Sequence, residues 1–154
     1  MRLQNGMTAD ANKVYPGELA TPVQMHMLAH EYRAAAIHLA SLGRPGEPLS
    51  RAPFRLAAIH AIELYLNALL LKRGHPASAI RSLRHNLADG LKLAAGYGLL
   101  LRAKTAQHVH DLAENREYLV TRYGPEMTSL ASQLNRLTAT LEEVSNKVSK
   151  LMSA

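Results

Sequence analysis

The chain contains no cysteine, no tryptophan and a single phenylalanine. Without cysteine there is no disulfide, no thiol nucleophile and no thiolate metal site. That fits a reducing compartment, and a cytoplasmic location is expected. With six tyrosines beside the one phenylalanine, a stacking platform for single-stranded nucleic acid is not expected. Strand-like alternation is missing, and so is any repeat of 20–50 residues. Residues 1–14 include Asn5, Asp10 and Asn12 and show no basic start followed by an apolar run, so no signal peptide is expected. The longest apolar stretch, residues 57–71, is interrupted by His60, Glu63 and Asn67. It reads as too short and too polar to span a bilayer, and no membrane partner is expected.

Acidic residues are the scarcer sign: 12 Asp and Glu stand against 18 Lys and Arg, for a net charge of +6 and a pI of about 9.8. The excess is concentrated, since residues 44–104 hold ten Lys or Arg and three Asp or Glu. Such a field attracts phosphate-rich partners through counterion release. A basic surface that serves only solubility has the same composition.

What the sequence does have is helical periodicity. Its 154 residues suit one domain with a real core. Residues 1–20 are weakly patterned and read as a flexible or loosely docked arm. Thr21-Pro22-Val23-Gln24 is a capping box with proline at the first helical position. A first helix to about Leu42 follows, with Met25, Leu28, Tyr32, Ala35 and Leu39 on one face. The Gly- and Pro-rich residues 43–50 make a loop. A second helix, about 53–73, is apolar nearly all round and belongs in the middle of a bundle. Its exceptions, His60, Glu63 and Asn67, form one polar stripe. A third helix is expected over about 79–95 and a fourth over about 99–123. One face of the fourth carries His108, Asp111, Asn115, Tyr118 and Arg122.

The final segment has the most regular pattern. Met127, Leu130, Leu134, Leu137, Leu141, Val144, Val148 and Leu151 recur at spacings of 3, 4, 3, 4, 3, 4 and 3. That is the seam of a coiled coil or of a long helix lying in a bundle groove. The flanking Gln133, Thr138, Thr140 and Ser145 offer little charge code for a partner. The expectation is therefore an all-α, up-and-down bundle of about five helices. Residues 1–20 would be an arm, 21–124 the bundle and 125–154 an amphipathic, coiled-coil-type helix.

Three segments resemble HEPN domains. Residues 57–74, AAIHAIELYLNALLLKRG, look like the family's second helix, a small-residue helix of the form A-x-E-x-Y-L-K-A-L-L closed by glycine. His85-Asn86-Leu87, with Leu91 and Ala94, is similar to its H-D-L-x-x-L start of the third helix. Arg122-Tyr123-Gly124 resembles its R-Y-P close of the fourth. The resemblance covers roughly residues 25–125. It implies a helical bundle, usually a homodimer, acting in RNA metabolism, in toxin–antitoxin pairs or beside a nucleotidyltransferase-type partner protein.

Many members carry an R-x(4–6)-H motif that acts as a metal-independent ribonuclease. The histidine exchanges a proton with the ribose hydroxyl or the leaving oxygen, and the arginine stabilises charge on the transferring phosphate. The spacing occurs here as Arg33/His38, Arg55/His60 and Arg102/His108. Only Arg102/His108 lies in the fourth helix, where the motif is expected, with Ala103 in place of the usual polar residue. At about 100° per residue those side chains point roughly 120° apart. The pair meets only across a helix break or a dimer interface; otherwise the arginine faces solvent and the histidine is an ordinary one.

Other constellations have two readings each. His26 and His30 share a face as a metal pair would, with His108 or His110 as a third ligand; two surface or interface histidines fit equally. No E-x-x-H motif of di-iron bundles is present, and neither a metal nor another cofactor is expected. The His60/Glu63/Asn67 and His108/Asp111/Asn115/Tyr118/Arg122 stripes would line one nucleotide or RNA cleft if their helices face each other. They could instead satisfy one another as a core network. Arg81, Arg84 and His85 gather at the start of the third helix, as a phosphate site or as a solvated helix end.

Overall fold

The computed structural model describes residues 13–154. Among them it has seven α-helices, two 3₁₀ segments and no named strand. The helices are α1 (Pro22–Ala40), α2 (Ala52–Lys72), α3 (Ala77–Arg81), α4 (Leu87–Ala95), α5 (Ala103–Glu114), α6 (Glu117–Tyr123) and α7 (Leu134–Ser153); the 3₁₀ segments are Pro48–Arg51 and Pro125–Leu130. The all-helical class expected from the sequence is what is seen. The count of about five helices is not, because two of them are broken.

α2 organises the molecule. Thirteen of its residues are buried, from Phe54 to Leu70, and α1, α3, α4, α6 and α7 all pack against it. By length and apolarity the segment Pro48–Lys72 would pass for a membrane span. Here neighbouring helices cover it on most sides. It ends in a Schellman motif: the His75 N–H reaches the Leu70 carbonyl at 3.0 Å, and the Gly74 N–H reaches Leu71 at 3.0 Å. That motif needs a left-handed residue, which Gly74 supplies at φ 93°.

α1 packs almost wholly on α2. Its two fully buried residues, Ala29 and Ala36, are small, and α2 buries the small residues Ala57, Ala58, Ala61 and Ala68. Small side chains let helix axes approach closely. The Thr21 capping box forms as the sequence predicts: the Gln24 N–H donates to Thr21 Oγ1 (3.1 Å) and the Thr21 N–H to Gln24 Oε1 (3.0 Å).

The heptad stripe packs inside the chain. Leu137, Leu141, Val144 and Val148 are at most 2% exposed, seated against α2 and α5. The stripe does not begin in this helix, however. Met127 and Leu130 lie in the preceding 3₁₀ segment and are 39% and 64% exposed. Pro125 and the extended Ala131 delay the helix to Leu134. The single helix expected over residues 125–154 is thus two elements.

The expected third helix, 79–95, is interrupted at Arg84 and His85, which both adopt left-handed backbone (φ 51° and 64°). Asn86 then caps α4 by accepting from the Asp89 N–H at 3.1 Å. The expected fourth helix begins at Ala103 instead of Leu99 and breaks at Arg116 (φ 48°). That break turns Glu117 inward to a buried pairing with Arg55, 3.5 Å away. Glu117 also accepts from the Ser132 N–H at 2.6 Å, and Arg55 donates to the Ser132 carbonyl at 2.6 Å. The bend is held by this buried polar cluster, without glycine or proline to mark it in sequence.

Candidate functional site

Between α2, α3 and residues 15–17 lies a cavity of about 210 Å³. Its polar wall is built from Glu63, Asn67, Arg81, Arg84 and His85; Met25, Leu71, Ala77 and Ile80 supply apolar surface. Glu63 and Asn67 are one turn apart on α2, so both project to the same side. Arg81 ends α3. Arg84 and His85 reach the cavity because of the left-handed turn between α3 and α4. Two consecutive non-glycine residues in this region cost on the order of 1–3 kcal/mol each. Such strain persists only where surrounding contacts impose it.

One of those contacts holds the His85 imidazole. His85 Nδ1 stands 2.8 Å from Glu63 Oε2. Burial would raise the Glu63 carboxyl, but the neighbouring imidazoles of His60 and His85 outweigh it and hold the group below its ordinary value. His60 Nδ1 is 3.9 Å from Glu63 Oε1, outside hydrogen-bond range, and its ring meets Tyr32 edge-on at 4.5 Å. Tyr118 lies with its ring 5.7 Å from that of His85. Residues 15–18 close the cavity's rim. The Arg81 guanidinium pairs with Glu18 and lies 4.6 Å over the Tyr15 ring. At least this end of the expected arm is docked; residues 1–12 lie outside the described residues. Arg84 is exposed and has no ion pair among the described residues.

The rest of the predicted site is dispersed. Asp111 is exposed and accepts from Gln107 Nε2 at 3.0 Å. Asn115 ends α5 and faces a separate hollow with Arg116 and Glu117. Arg122 lines another hollow, with Arg55 and Thr128. Of the fourth-helix stripe, Tyr118 meets His85, which in turn bonds Glu63 of the α2 stripe.

Arg102 and His108 do not face each other. Arg102 is the N-cap of α5, exposed, and its N–H donates to Glu143 at 2.6 Å. His108 is 4% exposed, with Nδ1 2.6 Å from Thr140 Oγ1 and Nε2 buried without a partner. Burial first, then the nearby Arg136 charge, push its pKa from 6.5 to about 4. For this imidazole to touch a substrate, α5 and α7 would have to part. His26 and His30 sit ring to ring at 4.3 Å, but each turns to another partner: His26 to Ser149 (3.0 Å) and His30 to the Tyr65 hydroxyl (2.6 Å).

No family model, curated protein or solved structure matches the chain. The site therefore rests on its own geometry. Sequence reasoning found five of its polar residues but missed Tyr15, Pro16, Gly17 and Glu18. These lie in an unpatterned stretch that gives no periodic signal.

Proposed function

We propose that this chain is a HEPN-like helical domain that binds a nucleotide, free or within an RNA, in the cavity between α2 and α3. The observation that carries the reading is the convergence of Glu63, Asn67, Arg84 and His85 from separate elements on one partly apolar cavity. Pockets of this kind, apolar with a few convergent polar groups, are the usual small-ligand sites. A nucleobase suits the apolar wall, and the Asn67 amide offers both a donor and an acceptor to its edge. The unpaired guanidinium of Arg84 suits a phosphate.

The reading is one of binding. Ribonuclease action through Arg102 and His108 has no support in their placement, since one is exposed and the other is buried against Thr140. Isothermal titration with the four nucleoside 5′-monophosphates and the matching nucleosides tests the proposal. At least one nucleotide should bind, and more tightly than its nucleoside. Arg84→Ala should weaken it roughly ten- to a hundredfold, the scale of a hydrogen bond to a charged group. No binding by any nucleotide, or affinity unchanged in Arg84→Ala, would contradict it.

A second reading, assembly with another copy or with a nucleotidyltransferase-type partner protein, is favoured by one feature. The outer side of α1 exposes Val23 (64%), Met27 (61%) and Ile37 (51%). Exposed apolar patches commonly mark contact surfaces. If this face makes a homodimer, light scattering after size exclusion should report a dimer for the parent chain and a monomer for Met27→Glu/Ile37→Glu.

A further inference from the structure

The outer flank of α7 and the start of α5 enclose an open groove of about 610 Å³ on a different part of the molecule from the nucleotide cavity. Five cations line it: Arg102, Lys104, Arg136, Lys147 and Lys150. Its two acids, Glu142 and Glu143, are already engaged. Glu142 accepts two hydrogen bonds from the Arg33 guanidinium, at 3.1 and 2.6 Å. Glu143 accepts from the Arg102 N–H (2.6 Å), the Thr105 hydroxyl (2.6 Å) and Lys147 (2.9 Å). Arg102, Lys104 and Lys150 have no ion pair among the described residues. Arg136 gives Thr105 one hydrogen bond, at 2.8 Å, and its Nε is buried with no partner. The seven charged groups leave a net +3, half of the chain's +6, in one groove.

We infer that this groove docks the phosphate backbone of a nucleic-acid duplex. Arg136, Lys147 and Lys150 recur along one flank of α7. From position 136 to 150 the helix rises about 21 Å at 1.5 Å per residue. Measured along the duplex axis, at about 3.4 Å per base-pair step, that length covers roughly six steps. No aromatic side chain lines the groove, so it offers bases nothing to stack on, which separates it from a single-strand site. The ligand is read as a row of charges, with little regard to sequence. This site stands independently of the nucleotide cavity, whose residues it does not share.

Fluorescence anisotropy with labelled RNA and DNA duplexes of one sequence, about two helical turns long, tests the inference. Binding should weaken with salt, with a slope of log K against log salt near −3, as about three or four neutralised phosphates require. In Lys104→Gln/Lys150→Gln, which removes two exposed charges, affinity at low salt should fall at least about tenfold and the slope should flatten by about 2. Arg84→Ala should leave the curve unchanged, so loss of the nucleotide site and loss of the groove are told apart. A preference for RNA or for DNA identifies the natural source of the duplex, and either is consistent with the inference. Absence of binding at low salt would overturn it. So would tighter binding to the single strand, or an equal loss in Lys92→Gln/Arg73→Gln, where the same charge is removed elsewhere.

Discussion

The buried imidazole of His108 should make the fold sensitive to mild acid. The ring is 4% exposed. The cheaper tautomer has Nδ1–H donating to Thr140 Oγ1 and leaves Nε2 as an unpartnered acceptor, since an orphaned buried N–H is the rarer defect. A proton added at Nε2 would place a charge in a dry site. Burial opposes it most, then the Arg136 charge and, more weakly, Arg55; Asp111 alone favours it. The pKa therefore drops from 6.5 to about 4 in the folded chain. The unfolded chain binds this proton below pH 6.5 and the folded chain only near pH 4. Stability is thus complete above about pH 6.5, falls between 6.5 and 4, and levels off below. At 1.36 kcal/mol per pKa unit the loss is about 3 kcal/mol.

Urea unfolding followed by circular dichroism at intervals from pH 7.5 to 4 measures this directly. Carboxylates titrate in the same range, so the quantity of interest is the difference between the parent chain and His108→Gln. Glutamine cannot ionise and can still bond Thr140. The parent should lose about 3 kcal/mol more than the variant across the window. A second readout is the NMR titration of the His108 ring, whose midpoint should rise in Arg136→Met. Parallel stability curves, or a His108 midpoint near 6.5, would refute the reasoning.

Three further outcomes follow from the packing. Arg55→Ala should destabilise the fold by about 3–5 kcal/mol, because it strands Glu117, 2% exposed, without its cation; Arg55→Leu/Glu117→Leu should cost less, and chemical denaturation distinguishes the two. Arg116→Gly should stabilise by up to about 1 kcal/mol, since glycine adopts φ 48° without the steric penalty, raising the melting temperature by roughly 2–4 °C. Leu141→Ala in the buried seam should cost about 2–5 kcal/mol, whereas Leu130→Ala, at the exposed start of the same heptad pattern, should change stability by less than about 0.5 kcal/mol; equal effects would mean that the 3₁₀ segment belongs to the seam.

The fold was legible where a pattern repeats. The all-round apolarity of α2 announced a central helix, and the 3–4 spacing of α7 announced a buried seam. Neither break was visible, because Arg84, His85 and Arg116 are not residues that end helices by local preference. The strain there is imposed by tertiary contacts: Glu63 holding His85, and Arg55 with Ser132 holding Glu117. The same two breaks decide the site. An unbroken third helix would leave Arg84 and His85 on its surface, whereas the left-handed turn swings them into the cavity. An unbroken fourth helix would align Asp111, Asn115, Tyr118 and Arg122, and the turn at Arg116 divides them between separate hollows. His108 looked like a polar member of that stripe. Its partner Thr140 lies 32 positions away in α7, a distance no local pattern spans.

The most direct test of the central claim is an NMR titration of isotope-labelled protein with a nucleoside 5′-monophosphate. The account predicts amide shifts confined to the neighbourhood of Glu63, Asn67, Arg81, Arg84 and His85 and the rim at residues 15–18, with none around His108. No shifts at saturating nucleotide, or shifts centred on His108 or on the outer side of α1, would contradict it.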